Sequence, residues 1–171
     1  MKKSLVLTGM MGVGKSTVGK SLSLGLKIPF FDVDYLIEEK EGITIEQIFS
    51  KKGEMYFRKK EKETTLKVLE RENIVIALGG GAFIDNIITK KVLKTCLSFW
   101  LDTQIKFLLT RFAKSKKRPL LNNNDAEKTL NKIYLNRKNI YKLANFRIDC
   151  DKLDKLAVVK KISEIYENSS N

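Results

Sequence analysis

The stretch "GMMGVGKSTVGK" at residues 9–20 decides the fold class of this chain. Two glycines enclose four residues, and Lys15 and Ser16 follow the second glycine directly. The apolar run "SLVLT" at residues 4–8 precedes it, so the motif joins a predicted strand to a predicted helix. In that context the spacing is typical of a loop that binds phosphate groups.

Each part of this loop has an expected contact with a nucleoside triphosphate. The glycines let backbone N–H groups turn toward phosphate oxygens, and the helix N-terminus adds partial positive charge. We expect Lys15 to reach the β- and γ-phosphates and the Ser16 hydroxyl to bind Mg²⁺. The loop residues expected to bind ATP are Gly12, Val13, Gly14, Lys15, Ser16 and Thr17. The motif alone does not identify the phosphate acceptor.

Composition excludes several classes of function. The 171 residues include no histidine, which excludes catalytic triads, proton shuttles and zinc sites that need one. The two cysteines, Cys96 and Cys150, have no metal or redox spacing and are expected to be buried thiols. The net charge of +13 is spread along the chain without interleaved aromatic residues, so we expect no nucleic-acid partner. No apolar run is long enough for a membrane span or a signal peptide, and we expect a cytoplasmic monomer.

Apolar runs alternate with helical patterns along the chain, which predicts one α/β domain over residues 1–171. The central runs are continuously apolar, as in parallel strands that are buried on both faces. The predicted strands are Ser4–Leu7, Pro29–Val33, Ile74–Leu78, Cys96–Leu101 and Phe146–Asp149. The predicted helices are Lys15–Leu24, Tyr35–Lys40, Thr44–Ser50, Glu54–Arg71, Asn86–Lys94, Thr103–Ala113, Ala126–Ala144 and Leu153–Glu167.

Three further segments carry candidate site residues. "FFDVDYLIE" places Asp32 and Asp34 at the end of the second predicted strand, where ligands of parallel sheets bind. "GEMYFRKKEKE" places Arg58 and Glu61 on one face of a helix. "IVIALGGGA" ends in the glycine run at residues 79–81, which suits close approach of a ligand to the backbone.

Arginine is scarce in this lysine-rich chain, with six arginines among 33 basic residues. A planar guanidinium is favoured where a carboxylate or a phosphate is bound by two parallel bonds. Arg111 ends a predicted helix, and Arg118 precedes Pro119 in a polar stretch that we interpret as a lid over about residues 112–124. Arg137 lies in the middle of a long predicted helix.

The order of these motifs resembles the shikimate kinase family. The sequence contains GxxxxGKS, DxD, GE-x-x-FR-x-x-E, GGG, R-x₆-RPLL and R-x₃-Y, in that order, between Ser4 and about Asp149. The resemblance implies a three-layer α/β/α fold with a five-stranded parallel sheet, as in P-loop kinases of the nucleoside-monophosphate-kinase-like group. It also implies transfer of the ATP γ-phosphate to the 3-hydroxyl of shikimate, with a substrate-binding segment at about residues 33–61.

The resemblance implies a role for each matching residue. For shikimate, Asp34 contacts the hydroxyls and accepts the proton, and Arg58 and Arg137 bind the carboxylate. Glu61 orients Arg58 or the hydroxyl side of the site, and Gly79, Gly80 and Gly81 supply backbone contacts. For ATP, Lys15 holds the phosphates, Ser16 and Asp32 serve Mg²⁺, Arg118 stabilises the transferring phosphoryl group, and Arg111 lies near the adenine.

Some features leave alternatives open. "LSFWLD" resembles a second metal-binding strand, so Asp102 competes with Asp32 as the carboxylate on the metal side. Leu78 stands where a small hydroxyl residue is frequent in the family, and Met10 and Met11 are expected to point away from the phosphates. The alternative functions are a kinase of gluconate or a nucleotide, a regulatory protein that only binds nucleotide, and a basic nucleic-acid-binding module.

Overall fold

Five parallel strands form one sheet in the computed structural model of the chain, which describes residues 3–113, 123–151 and 153–169. The strands are β1 (Ser4–Thr8), β2 (Phe30–Asp32), β3 (Val75–Ala77), β4 (Cys96–Asp102) and β5 (Phe146–Asp149). Their order across the sheet is β2-β3-β1-β4-β5, so β1 lies at the centre. The strand that leads into the phosphate loop therefore has neighbours on both sides.

The central strands are buried, as their unbroken apolar sequence predicts. All five residues of β1 and all three of β3 are inaccessible to solvent. Leu7 pairs with Ala77 of β3 and with Phe99 of β4, which puts the carboxyl ends of the three strands at one edge. The segments that follow these strands therefore meet at that edge.

Seven helices flank the sheet in the described part of the chain. They are α1 (Lys15–Leu26), α2 (Val33–Glu41), α3 (Ile45–Val68), α4 (Asn86–Thr95), α5 (Ile105–Ala113), α6 (Asn123–Tyr141) and α7 (Lys155–Asn168), with a short 3₁₀ helix at Ala82–Ile84. None of the described helices is long and apolar enough to cross a lipid bilayer. The predicted fold class, a five-stranded parallel sheet flanked by helices, is confirmed.

Local capping explains where three of the helices begin. The Asp32 carboxylate accepts bonds from the backbone N–H groups of Asp34 and Tyr35 and so caps α2. Thr44 caps α3 in a reciprocal pair with Gln47, and Asp85 caps α4. A polar side chain at each helix start satisfies N–H groups that have no partner inside the helix.

Helix α3 contains a break at Gly53. The glycine has φ 82° and ψ 169°, a conformation that residues with a side chain rarely adopt. The sequence predicts separate helices at Thr44–Ser50 and Glu54–Arg71, and the break lies between them. The second segment ends at Val68, three residues earlier than predicted.

The other predicted boundaries of helices and strands agree with the structure within a few residues. One residue changes from a predicted strand to a helix. Val33 is predicted to end β2 but is the first residue of α2, because Asp32 caps the helix one residue earlier. The substrate-binding segment that we predict over about residues 33–61 thus consists of α2 and most of α3. Helix α6 begins at Asn123 and ends at Tyr141, each three residues before its predicted limit.

Candidate active site

The phosphate loop begins where β1 ends and leads directly into α1. Gly9, Gly12 and Gly14 all have positive φ angles, of 137°, 77° and 105°, so glycine is required at each. The Lys15 ammonium is buried and donates to the backbone carbonyls of Gly9 and Met10, at 2.9 Å and 2.8 Å. The Lys15 ammonium is therefore bonded to the backbone of the loop that carries it.

The two methionines of the loop pack on the protein. The Met10 side chain is buried in the hydrophobic core, and the Met11 side chain packs against that core. Leu78, the residue before the glycine run, is also a core residue, and its N–H donates to the Leu7 carbonyl. Leu78 thus contributes packing where a hydroxyl residue is frequent in the family.

Helix α5 meets the outer side of the phosphate loop. The Arg111 guanidinium donates to the carbonyls of Gly12 and Val13, at 3.3 Å and 2.7 Å. The Phe112 ring lies so close to Gly12 that a Cβ at Gly12 would come within 2.7 Å of it. Arg111 is thereby fixed beside the loop.

A cavity of about 290 Å³ opens beside the loop and Arg111. One wall comes from the loop and α1, and the opposite wall comes from the segment that follows β5. The lining residues from that segment are Cys150, Leu153, Lys155 and Val158. The sequence motifs do not predict this wall. Strand β5 lies next to β4 in the sheet, and the segment after β5 therefore reaches the same edge as the phosphate loop.

Both cysteines are buried thiols, as predicted. Burial raises the pKa of Cys96, and it raises the pKa of Cys150 to about 11. The Cys150 thiol is therefore protonated at neutral pH, although it lines the cavity beside the phosphate loop.

The glycine run at 79–81 lies between the phosphate loop and a second group of polar side chains. A Cβ at Gly79 would overlap the Glu61 carboxylate and lie 2.7 Å from the Asp34 carboxylate. A Cβ at Gly80 would lie 3.3 Å from the Met11 backbone nitrogen, and one at Gly81 would overlap the Arg58 guanidinium. Side chains are therefore absent at these three positions because site side chains and the phosphate loop occupy the adjoining space.

A second cavity, of about 310 Å³, opens on the other side of the run. Its lining is mostly charged and comes from α3, the segment after β3, the start of α4 and α6. The lining residues are Glu54, Arg58, Glu61, Lys62, Gly81, Ala82, Ile84, Asp85, Ile88 and Arg137. Three cations and three carboxylates thus surround a space that is suitable for a small polar molecule.

Arg58 is held by carboxylates on both sides. Its Nη1 donates to Glu61 at 2.7 Å, and its Nε and Nη2 both approach one oxygen of Glu54 at 3.3 Å. The Glu61 side chain is 4% exposed, whereas that of Glu54 is 66% exposed. Glu61 thus fixes the orientation of Arg58.

Arg137 reaches the same cavity from the middle of α6. Its Nη1 donates to the Gly80 carbonyl at 2.9 Å, and the Tyr141 hydroxyl donates to the same oxygen. Tyr141 is fully buried, and burial raises the pKa of its hydroxyl. The R-x₃-Y motif therefore attaches α6 to the glycine run and leaves the guanidinium facing the cavity.

Two carboxylates converge on Gly79. Asp34 comes from the first turn of α2, and Glu61 comes from α3. Burial raises the pKa of Glu61, although Arg58 opposes this effect through a hydrogen bond and its charge. One oxygen of Glu61 binds Arg58, and the other, Oε1, is buried without a hydrogen-bond partner among the described residues.

The two candidate metal-side carboxylates differ sharply in their surroundings. Asp102 is buried and accepts from Arg147 at 2.7 Å and from the Tyr134 hydroxyl at 3.1 Å. Burial and the Asp102 charge raise the pKa of Tyr134 to about 12. Asp102 is thus used in a cluster that joins β4, β5 and α6. Asp32 uses one oxygen as the α2 cap and keeps the second for another ligand.

The donor set at the loop suits Mg²⁺. Ser16 lies in the exposed first turn of α1, and Asp32 lies at the same edge of the sheet, at the end of β2. Mg²⁺ takes one or two protein oxygens and fills its remaining positions with water and substrate phosphates. No cluster of three or more acidic, cysteine or histidine side chains suited to a metal occurs within the described ranges. One hydroxyl and one carboxylate therefore fit the ion.

The structure brings most predicted residues together and leaves one outside its description. Arg118 and most of the predicted lid, residues 114–122, lie outside the described residues. Glu54, Lys62 and Asp85 also line the charged cavity, and none of them has a predicted role in the site. Glu54 directly follows the glycine of the GE motif, so the motif is the sequence feature that could have indicated its place in the site.

The chain is similar to proteins of known function over nearly its whole length. A family model described as shikimate kinase matches residues 11–167. The shikimate kinase of Sulfurihydrogenibium sp. (strain YO3AOP1) is 41% identical over 162 residues, which cover 94% of this chain and 95% of the relative. A solved shikimate kinase from Acinetobacter baumannii, in complex with shikimate, superposes with a TM-score of 0.91. It is 30% identical, and the match covers 99% of this chain and 95% of that structure.

A gluconokinase shares only the fold with this chain. The gluconokinase from Sinorhizobium meliloti 1021 superposes with a TM-score of 0.61, at 15% identity, over 98% of this chain and 95% of that structure. The identity to the shikimate kinases is at least twice as high, and the family model spans nearly the whole chain. This protein belongs to the shikimate kinase family.

Proposed function

We propose that the two cavities hold the two substrates of one phosphoryl transfer, with ATP beside the phosphate loop and shikimate beside the glycine run. As a member of the shikimate kinase family, the protein is an ATP-dependent kinase of shikimate. We also propose which residues bind each substrate, and we propose that the 3-hydroxyl of shikimate receives the γ-phosphate. One observation carries it: Gly80 lies beside the phosphate loop, where an added Cβ would be 3.3 Å from the Met11 nitrogen, and its carbonyl accepts from Arg137 of the charged cavity.

Shikimate is oriented by its carboxylate in this proposal. Arg58 and Arg137 both face the charged cavity, and a guanidinium binds a carboxylate through two parallel N–H bonds. Arg58 is already held in place by Glu61, and Arg137 by the Gly80 carbonyl. Both cations are therefore oriented before substrate binds, which reduces the entropy lost on binding.

Asp34 is the proposed proton acceptor. Its carboxylate and that of Glu61 both adjoin Gly79. Glu61 lines the charged cavity, and Asp34 lies next to it without being part of the cavity wall. A carboxylate placed at the attacking hydroxyl accepts its proton as the phosphoryl group arrives. Glu61 is less suited to this step, since it is committed to Arg58.

ATP is held by the phosphate loop. Lys15 leaves the carbonyls of Gly9 and Met10 to bind the β- and γ-phosphates, while the N–H groups of the loop surround phosphate oxygens. The cavity lined by Arg111 and the segment after β5 has a size suited to the adenine. A guanidinium beside a flat apolar ring contributes a stacking contact.

Mg²⁺ is the proposed cofactor, with Ser16 and Asp32 as the residues that would hold it, directly or through water. When bound, the ion offsets negative charge on the phosphates of ATP. We assign Asp32 rather than Asp102 because Asp102 is neutralised by Arg147 and bonded to Tyr134. Leu78 contributes no hydroxyl to metal-bound water, so Asp32 carries more of that contact.

Arg118 keeps its proposed role on the transferring phosphoryl group, and residues 112–124 keep the proposed role of a lid. The sequence supports both: the stretch is polar, and Pro119 fixes φ just after the arginine. We further propose one domain, a monomer in the cytoplasm, and no membrane or nucleic-acid partner, on the compositional grounds given above.

The test of this function is an ADP-release assay over a panel of acceptors. The panel is shikimate, quinate, gluconate and nucleoside monophosphates, each with ATP and Mg²⁺. We expect turnover with shikimate and at most a small fraction of that rate with the others. Gluconate has no ring, nucleoside monophosphates have no carboxylate, and quinate has an extra hydroxyl beside the carboxylate that Arg58 and Arg137 are proposed to bind. Faster turnover with gluconate or a nucleotide would contradict the assignment of the charged cavity.

A further inference from the structure

Two glutamates already contact the guanidinium of Arg58 in the structure. Its Nη1 binds Glu61, and its Nε and Nη2 both approach one oxygen of Glu54. A carboxylate that binds a guanidinium by two bonds needs a pair of adjacent N–H groups. An acceptor carboxylate that binds through the Nε and Nη2 pair therefore has to displace Glu54.

The two glutamates differ in how easily they are displaced. Glu61 lies 2.7 Å from Arg58, and its side chain is 4% exposed, so its removal would leave a buried charge unpaired. Glu54 lies 3.3 Å away, and its side chain is 66% exposed, so water replaces the lost contact. Glu54 is thus the partner that leaves.

Glu54 also lines the cavity in which the acceptor is proposed to bind. Arg137, the second proposed carboxylate ligand, donates to the Gly80 carbonyl and has no carboxylate partner in the described part of the chain. An incoming carboxylate thus meets no competitor at Arg137 and one competitor at Arg58.

We propose that Glu54 is an internal competitor for the substrate carboxylate: it occupies Arg58 in the free enzyme and is displaced when the acceptor binds. The inference rests on the proposed role of Arg58 in binding that carboxylate. The exchange keeps the positive charge of Arg58 compensated in both states. It also weakens binding of every acceptor whose carboxylate uses Arg58, so Glu54 sets the affinity of the site.

The test is a calorimetric titration with shikimate of the parent and the Glu54→Gln variant. Glutamine keeps the length of the side chain but removes its charge, so we expect the dissociation constant of shikimate to fall about two- to five-fold, as for loss of an exposed ion pair. The methyl ester of shikimate carries the same ring without the charge, and its affinity should be the same for both proteins. Melting temperatures confirm that each variant is folded.

Glu63→Gln is the matched control. Glu63 lies on the same helix, is half exposed, pairs with Lys60 at 3.4 Å and is absent from the cavity wall. This variant changes the net charge equally and should leave the affinity for shikimate unchanged. An unchanged or raised dissociation constant in Glu54→Gln would overturn the inference, as would an equal fall in Glu63→Gln.

Arg58→Ala separates this inference from the proposed function. If Arg58 binds the carboxylate, its removal should weaken shikimate binding more than about ten-fold. In that background Glu54→Gln should no longer strengthen binding, since there is no cation left to release. Weakened binding in Arg58→Ala with no gain in Glu54→Gln contradicts only the competitor. Unchanged binding in Arg58→Ala contradicts the proposed role of Arg58 and the competitor together.

Discussion

Gly79 has no room for a side chain, and the reason is functional rather than conformational. Its φ is not among the positive values found at other glycines, so alanine fits the backbone itself. The added Cβ would instead overlap Glu61 and approach Asp34 to 2.7 Å. Both carboxylates belong to the proposed acceptor site, so they have to shift when this position gains a methyl group.

We therefore predict that Gly79→Ala lowers kcat/KM for shikimate by about 100-fold, since a displacement near 1 Å at a reacting group has that cost. Steady-state kinetics measure the effect. Gly25→Ala is the control, because a Cβ there meets no atom within 4 Å, and alanine suits a helix interior. Equal activity of the Gly79 variant and the parent would show that the carboxylates of Asp34 and Glu61 take no part in the reaction.

A second prediction for a single residue concerns Arg137 and its proposed bond to the shikimate carboxylate. Lysine keeps the positive charge but loses the second parallel bond and the geometry of the Gly80 contact. We predict that Arg137→Lys raises KM for shikimate about ten-fold or more and leaves KM for ATP unchanged. Arg71→Lys is the control, since Arg71 lies over the Phe31 ring and is absent from both cavities. An unaltered KM for shikimate would remove Arg137 from the site.

At the scale of elements, α4 begins with a charged cap beside the acceptor cavity. Asp85 accepts from the N–H groups of Ile87 and Ile88 and pairs with Lys62 of α3 at 2.8 Å. Burial acts to raise the pKa of Asp85, but the bonds from Lys62 and the backbone outweigh it and lower the pKa. Since the folded pKa lies below the unfolded one, the stabilisation is present at neutral pH and is lost as pH falls through the folded value.

We predict that Asp85→Asn, which keeps the cap, lowers the free energy of unfolding at pH 7 by a few tenths to about 1 kcal/mol. Urea unfolding between about pH 7 and pH 3 should show the gap between parent and variant closing as pH falls. Asp154→Asn is the control, because Asp154 caps α7 with no ion pair recorded in the described ranges. A gap that stays constant with pH would show that the Lys62 pair contributes nothing.

The elements themselves show what a sequence predicts well. Buried parallel strands consist of continuous apolar residues, so β1, β3 and β4 are readily found, and Gly53 marks the break in α3. Val33 is predicted to end β2 because it alternates with Asp32 and Asp34 at the end of the strand. The Asp32 cap, which decides that the helix begins there, depends on the orientation of a side chain that periodicity does not report.

At the scale of the whole molecule, the site consists of segments far apart in the chain. Motifs in order along the sequence predicted the phosphate loop, Arg58, Glu61, the glycine run and Arg137, because each carries its own chemistry. The wall formed by Leu153 and Val158 has no such chemistry. It joins the site only because β5 pairs with β4, and a pairing between distant strands is not encoded in local pattern.

The measurement that tests the central claim most directly is the identity of the product. Phosphorus and proton NMR of a reaction containing ATP, Mg²⁺ and shikimate report which hydroxyl carries the new phosphate. We predict one product, shikimate phosphorylated at its 3-hydroxyl, together with ADP, and almost none of either with Lys15→Ala, which lacks the cation that the loop holds. ATP hydrolysis without a phosphorylated acceptor, phosphate on another hydroxyl, or undiminished product from Lys15→Ala would contradict the account.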